Sequence, residues 1–316
     1  RFIQVLCAGL LWLPVAVCAE PAEFIRVLLS QDLESLQVSA DHQIIVRVPG
    51  QGTGRTQEPL SVSAANGVVV FKGQGTGASR VVLEPSGGDL RLSVGRGGNG
   101  TSAEVLGFGG GGIPGGLEIT ATGSKLMVVN VVDLETYVTG VVPSEMNAGW
   151  HGEALKAQAV AARTYVLYQK QANRGRAYDV QADTRDQVYR GRRGVDGRVL
   201  KAVADTKGLI LTYDRAPIYA AFSSTAAGPT EDALNVWNKD LPYLKGVECP
   251  FDVNAPSYQW RVAFTVEVLE EKLRKAGYAI GPVATFSPFA YSRAGRVQKI
   301  RVLHAQGELI LRGEDL

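Results

Sequence analysis

The 316-residue chain is 45% hydrophobic and 20% charged, an ordinary globular balance that excludes global disorder. Lys and Arg number 33 against 31 Asp and Glu, so a net charge of +2 calls for neither a nucleic acid nor an acidic partner. Three Cys and three His exclude a disulfide framework and most zinc modules.

Residues 2–19 form an apolar run behind Arg1, broken by Pro14 and ending in Val17-Cys18-Ala19 before the polar Glu20-Pro21. This reads as a signal peptide, with an uncleaved N-terminal anchor as the alternative. Either form predicts an exported body whose only membrane link is this segment. Cleavage after Ala19 would leave Cys249 as the single cysteine. The first residue is not Met, which suggests that the natural start lies upstream. Downstream no second run of about 18 apolar residues occurs, so a soluble body is expected.

Residues 20–111 read as β-rich. Runs at 24–29, 44–48, 67–72 and 79–83 are β-branched, and Gly-Gln-Gly-Thr-Gly at 50–54 and 73–77 reads as a turn after a strand. Residues 95–116 hold eleven glycines, and Gly107, Gly109 and Gly112 match G-x-G-x-x-G. A dinucleotide loop must open a helix, whereas Ile113-Pro114-Gly115-Gly116 and another strand follow here. A linker or hairpin loop is the better reading.

From Lys125 the pattern changes. Residues 125–132 form an apolar strand, and Asp133 can cap a short helix over LETYVTG that Pro143 ends or kinks. Residues 152–169 form an Ala-rich helix with Leu155, Ala159, Ala162 and Val166 on one stripe. Strands are expected at 208–213, 217–222, 258–266, 297–303 and 308–312, with a helix at 267–276. Strands and helices mix without a βαβ rhythm. The fold class is therefore α+β, with mixed sheets, a central Ala-rich helix and a β-rich region before it.

Candidate chemistry is sparse. His42, His151 and His304 have no nucleophilic or acidic partner at a familiar spacing, and no H-E-x-x-H, paired C-x-x-C or Walker motif is present. No cofactor or metal is expected. Glu145 stands at an element junction beside Val141, Val142 and Met146, where desolvation could raise its pKa into the range of a general acid. A structural Glu in a first helical turn is the competing reading. Glu135 lies ten residues earlier, about 15 Å along a helix, against the roughly 5–9.5 Å of a two-carboxylate glycosidase, and reads as structural. Arg163, inside the Ala-rich helix, reads as a snorkelling or ion-paired residue. Ser223, Ser224 and Thr225 could bond a sugar or simply form a turn. Trp237, Tyr243, Tyr258 and Trp260 could line a groove or a core.

The stretch VVNVVDLETYVTGVVPSEMNAGWHGEALKAQAVAARTYVL at 128–167 resembles the stage II sporulation protein D / LytB family. Further family-like blocks follow in order: ADTRDQVYRG at 182–191, FSSTAAGPTEDALNVW at 222–237 and LPYLKGVECPFD at 241–252. The resemblance implies a domain from 112 to 316, with a C-terminus shorter than the family's. It implies a lytic transglycosylase that cuts peptidoglycan glycan strands, with Glu145 as the single acid/base. The muramic 6-hydroxyl then serves as nucleophile and no second carboxylate is needed. Gln187, Tyr189, Ser224, Thr225 and Glu231 are the implied groove residues. The family's S-T-x-G-G reads Ser224-Thr225-Ala226-Ala227-Gly228 here, one glycine fewer. The LytB side of the family implies an alternative, a non-catalytic glycan binder that stimulates a cell-wall amidase. Either reading places the protein in the periplasm, the wall or outside the cell.

Overall fold

The computed structural model describes residues 22–94 and 111–313. The apolar leader, with Gly107 and Gly109 of the glycine-rich stretch, lies outside the described residues. The chain divides into two compact units, Arg1–Ala220 and Ala221–Leu316.

The first unit opens with nine strands: β1 (Phe24–Leu33), β2 (Ser35–Ala40), β3 (Ile44–Val48), β4 (Gly52–Thr56), β5 (Leu60–Ala65), β6 (Val68–Phe71), β7 (Gln74–Gly75), β8 (Arg80–Pro85) and β9 (Leu90–Val94). Then come β10 (Gly116–Thr122), β11 (Lys125–Asp133), α1 (Leu134–Glu145), α2 (Gly152–Ala172), β12 (Val180–Gln181), α3 (Gly197–Asp205), β13 (Thr212–Tyr213) and β14 (Ala216–Pro217). One sheet runs β12-β1-β11-β10-β8-β3-β4 and a second runs β7-β6-β5-β2-β9. Among the described ladders only β1–β12 is parallel, as an α+β fold requires and a doubly wound one does not.

The two sheets share a core because their strands alternate. Leu117 and Ile119 of β10 and Leu126 and Val128 of β11 point inward against Leu36, Val38 and Val62 of the second sheet, all fully buried. Two ladders cross the boundary read at residue 111. β1 pairs with β11 from Phe24–Asp133 to Leu33–Leu126, and β8 pairs with β10. The β-rich region and the segment after it are therefore one folded body. The first Gly-Gln-Gly-Thr-Gly is only partly a turn, because Gly52–Thr56 pair with β3.

α1 and α2 leave this sheet as a packed pair. Asp133 caps α1 by accepting hydrogen bonds from the Glu135 and Thr136 amides, both at 3.1 Å. The helix continues through Pro143 to Glu145, further than its sequence suggests. Leu155, Ala159, Ala162 and Val166 of α2 are all buried, as their spacing predicts. His151 caps α2, its Nδ1 accepting from the Glu153 amide. The expected strands at 208–213 and 217–222 shrink to β13 and β14, closed by Asp214 and Arg215 at positive φ.

The second unit contains α4 (Ala233–Trp237), α5 (Val266–Lys275), β15 (Val283–Tyr291), β16 (Val297–His304) and β17 (Gly307–Arg312). The strands form an antiparallel meander. Its core is small: Leu269 and Leu273 of α5 pack with Ile280, Val302 and Leu311. No strand forms at 258–265, where Trp260, Val262 and Phe264 are exposed. An aromatic and β-branched run without a partner strand stays an extended coil. Among the described residues no helix is long and apolar enough to cross a membrane.

Candidate active site

Glu145 is the last residue of α1 and is half-buried. Its Oε1 accepts a hydrogen bond from the Val188 amide at 2.5 Å. Burial pushes the carboxyl above its ordinary value, against the opposing pull of the Val188 N–H and of Arg190. A helix C-terminus also disfavours an anion. The position thus inverts the alternative reading of a first-turn Glu, which the dipole would have stabilised as a charged group.

The segment that meets Glu145 is a strap, residues 186–190, laid along α1. Gly140 makes the close approach possible: a Cβ there would stand 2.6 Å from both the Gly191 carbonyl oxygen and Tyr189 Cε2. Gly191 itself has φ +57°, a conformation glycine adopts without penalty. Gln187 and Tyr189 are wholly buried. The Tyr137 hydroxyl donates to Gln187 Oε1 at 3.1 Å, and the Tyr189 hydroxyl donates to Asn130 Oδ1 at 3.0 Å. The two tyrosine rings stack with centroids 5.2 Å apart. Burial lifts the Tyr137 phenol well above its ordinary value, so it stays a donor. The structure therefore brings Gln187 and Tyr189 to Glu145, but beneath it. They support the strap and offer no surface to a ligand. Gln187 Nε2 is buried without a protein partner.

Glu135 is an anchor. It holds the fully buried Arg163 through two bonds, Nε–Oε1 at 2.8 Å and Nη2–Oε2 at 2.7 Å. Arg163 Nη1 also donates to the Leu209 carbonyl at 3.0 Å. The pair ties α1 to α2 and to the chain entering β13, as the ion-paired reading of Arg163 expects.

Ser224, Thr225 and Glu231 lie in the second unit. There the hydroxyl-rich loop closes on Asp252: Thr225 Oγ1 donates to Asp252 Oδ2 at 2.5 Å, and the Ala226 and Ala227 amides reach the same oxygen. The Thr225 hydroxyl and these amides hold the Asp252 carboxyl below its ordinary value. Glu231 accepts from Ser292 Oγ at 2.5 Å and from Asn235 Nδ2 at 2.8 Å. Burial opposes ionisation of Glu231, but these donors and Arg296 outweigh it and keep the carboxyl low. The loop borders a pocket of about 680 Å³ that also takes in Trp237, Tyr243, Cys249 and Arg296. Trp237 and Tyr243 thus line a cavity, while Trp260 is 80% exposed. Asp252 is the member that the sequence reading missed. The signal available was its place at the end of the GVECPFD block. Among the described residues no group of His, Cys, Asp and Glu is arranged to hold a metal.

Residues 122–213, which include Glu145, its strap and the Glu135–Arg163 pair, match the family model described as Stage II sporulation protein. This segment is similar to the stage II sporulation protein family. The chain is 41% identical over 160 residues to stage II sporulation protein D of Bacillus amyloliquefaciens, covering 46% of this chain and 46% of that protein. It is 39% identical over 163 residues to stage II sporulation protein D of Bacillus subtilis (strain 168), covering 46% and 47%. It is also 38% identical over 133 residues to a Bacillus subtilis protein named amidase enhancer, covering 42% of this chain and 17% of that protein. The chain thus spans less than half the length of these relatives. The stage II sporulation match contains Glu145, Gln187 and Tyr189, whereas Ser224, Thr225 and Glu231 lie beyond its end.

Proposed function

We propose that this protein is a peptidoglycan lytic transglycosylase of the cell envelope with Glu145 as its acid/base. The observation that carries the reading is a single half-buried carboxyl, biased toward its protonated form and fixed by a backbone N–H, inside the stage II sporulation match. A carboxyl that keeps its proton to higher pH than an ordinary one is suited to act as a general acid. Glu145 would protonate the glycosidic oxygen as the bond to the muramic anomeric carbon breaks. The resulting carboxylate would take the proton of the muramic 6-hydroxyl as that oxygen closes on the same carbon. The product is a 1,6-anhydro end, and the proton count returns to its start. No second carboxylate and no cofactor is required. The second unit's pocket, bordered by the exposed Ser224, is itself a candidate for binding sugar. Thr225 and Glu231 hold that pocket's wall, since their polar atoms are engaged by Asp252 and Ser292.

The likeness to the amidase enhancer supports a second reading, a glycan-binding activator of an N-acetylmuramoyl-L-alanine amidase. One digestion separates the two. Wild type and Glu145→Gln are incubated with intact and amidase-stripped peptidoglycan, and the products are read by mass spectrometry. Anhydro-muramic ends from wild type alone support the lytic reading. Absence of new ends on either substrate, together with co-sedimentation and faster release by an added amidase, favours the activator.

A further inference from the structure

Glu145 receives its N–H from a strap that makes no use of regular secondary structure. Residues 186–190 belong to no helix or strand. A coil carrying a catalytic contact needs its own anchors, and here they are polar. Asp186 takes three donors on two oxygens. Tyr165 OH at 2.9 Å and Gln169 Nε2 at 2.7 Å reach Oδ1, and the Gln181 amide reaches Oδ2 at 2.8 Å. Two of these donors come from α2 and the third from β12, so one carboxylate joins a helix, a sheet edge and the strap. At the next residue Tyr137 of α1 holds Gln187 at 3.1 Å. At the far end Arg190 Nη1 donates to the Ala182 carbonyl at 2.8 Å. Val188 sits between these anchors and has only its backbone to offer Glu145.

Resting on the lytic reading of Glu145, we propose that Asp186 is a positioning residue that, with Tyr137 and Gln187, holds the Val188 amide against the Glu145 carboxyl. Asp186 does not touch the reacting atoms. It fixes where the donor stands, and the donor favours the carboxylate. The titratable groups around the site are Arg190 on the strap, Tyr137 on the helix of Glu145 itself, and Asp186, Tyr165 and Tyr189 packed about Tyr137. Together they set a balance: burial favours the acid, while the strap restrains it so that the proton can also leave.

Substitution of Asp186 by Asn gives a signed test. Asn has one acceptor oxygen, so it cannot satisfy donors on both sides, and the strap loosens. Loss of the N–H moves the Glu145 titration up. Simple removal of a neighbouring negative charge would move it down. The midpoint is read directly by carbon-13 NMR of glutamate carboxyls in the whole protein, with the Glu145 signal assigned by its loss in Glu145→Gln. The expected result is an upward shift of about half a pH unit or more in Asp186→Asn, with a smaller shift of the same sign in Tyr137→Phe. The upper limb of the glycan-cleavage profile should move with it. Val199→Ala, a core truncation in α3, should lower the melting temperature and leave the midpoint in place. An unchanged or lowered midpoint in Asp186→Asn overturns the proposal. If Asp186→Asn does not fold, Tyr165→Phe removes one donor and carries the same test. The titration does not require turnover. A protein that cleaves no glycan but shows the upward shift would sink the lytic reading and leave the strap's role intact.

Discussion

Replacing Gly140 by Ala tests whether the strap truly lies on α1. Outside this contact Ala should stabilise a helix interior by about 1 kcal/mol relative to Gly. Here the added methyl would stand 2.6 Å from a backbone carbonyl oxygen and 2.6 Å from a ring carbon of Tyr189. Non-bonded carbons settle near 3.5–4 Å, so the strap must retreat by about 1 Å. Neither neighbour can give way cheaply, since one is backbone and the other is a buried ring held through its hydroxyl by Asn130. Overpacking of this kind costs about 1–3 kcal/mol, and the rigid neighbours place it near the upper end. Set against the helical gain, the net loss is about 2 kcal/mol. For a unit of this size that lowers the melting temperature by roughly 4–8 °C. Differential scanning calorimetry of the first unit's transition measures it. Gly152→Ala, where a Cβ would meet nothing within 4 Å, is the control and should melt at or slightly above wild type. If Gly140→Ala melts at or above wild type, the close strap contact is wrong.

Three further outcomes follow from the same geometry. Glu135→Leu strands the buried Arg163 charge and should cost about 3–5 kcal/mol in urea unfolding, whereas adding Arg163→Met should restore much of the loss; a double variant no better than the single one refutes the pairing argument. Tyr189→Phe leaves Asn130 Oδ1 without its donor and should cost about 1–3 kcal/mol, with β11 amides exchanging faster; unchanged exchange would count against it. Because burial raises the folded-state value of Glu145, its contribution to stability is complete below the ordinary carboxylate value of 4.5 and is lost as pH rises through the elevated folded value. Glu145→Gln should therefore melt higher than wild type at neutral pH and converge with it in acid. A constant gap across that range would contradict the assignment.

Local chemistry made much of the first unit legible. Asp133 caps the helix that its position suggested, and the stripe from Leu155 to Val166 is buried because its period matches a helix. Glu145 was legible as a carboxyl at a junction, although the run through Pro143 that sets it at a C-terminus was not. The proline removes one helical N–H donor, a cost that the burial of Tyr137, Val138, Val141 and Val142 in the core offsets. The strap was illegible for another reason. Gln187 and Tyr189 were groove residues implied by the resemblance, yet a local block cannot tell a groove from a satisfied interior. Only Tyr137, 50 residues from Gln187 in sequence, and Asn130, 59 from Tyr189, settle it. In the second unit the helix at 266–275 and the last two strands were legible. The run at 258–266 was not a strand, because a ladder depends on a partner that no local pattern supplies.

The β11 strand has a consequence for how this protein can be divided by evolution or by the experimenter. The stretch that resembles the sporulation proteins starts at residue 122, and so includes β11 but neither of its hydrogen-bonded neighbours. Heredity and folding have therefore drawn their borders in different places. A fragment cut to the likeness would carry Glu145 on a helix rooted in a strand with both margins bare, an invitation to self-association. Grafting the acid-bearing helices onto another framework would demand two foreign strands in register with β11. Whatever the β-rich region binds, it supplies strands that complete that sheet.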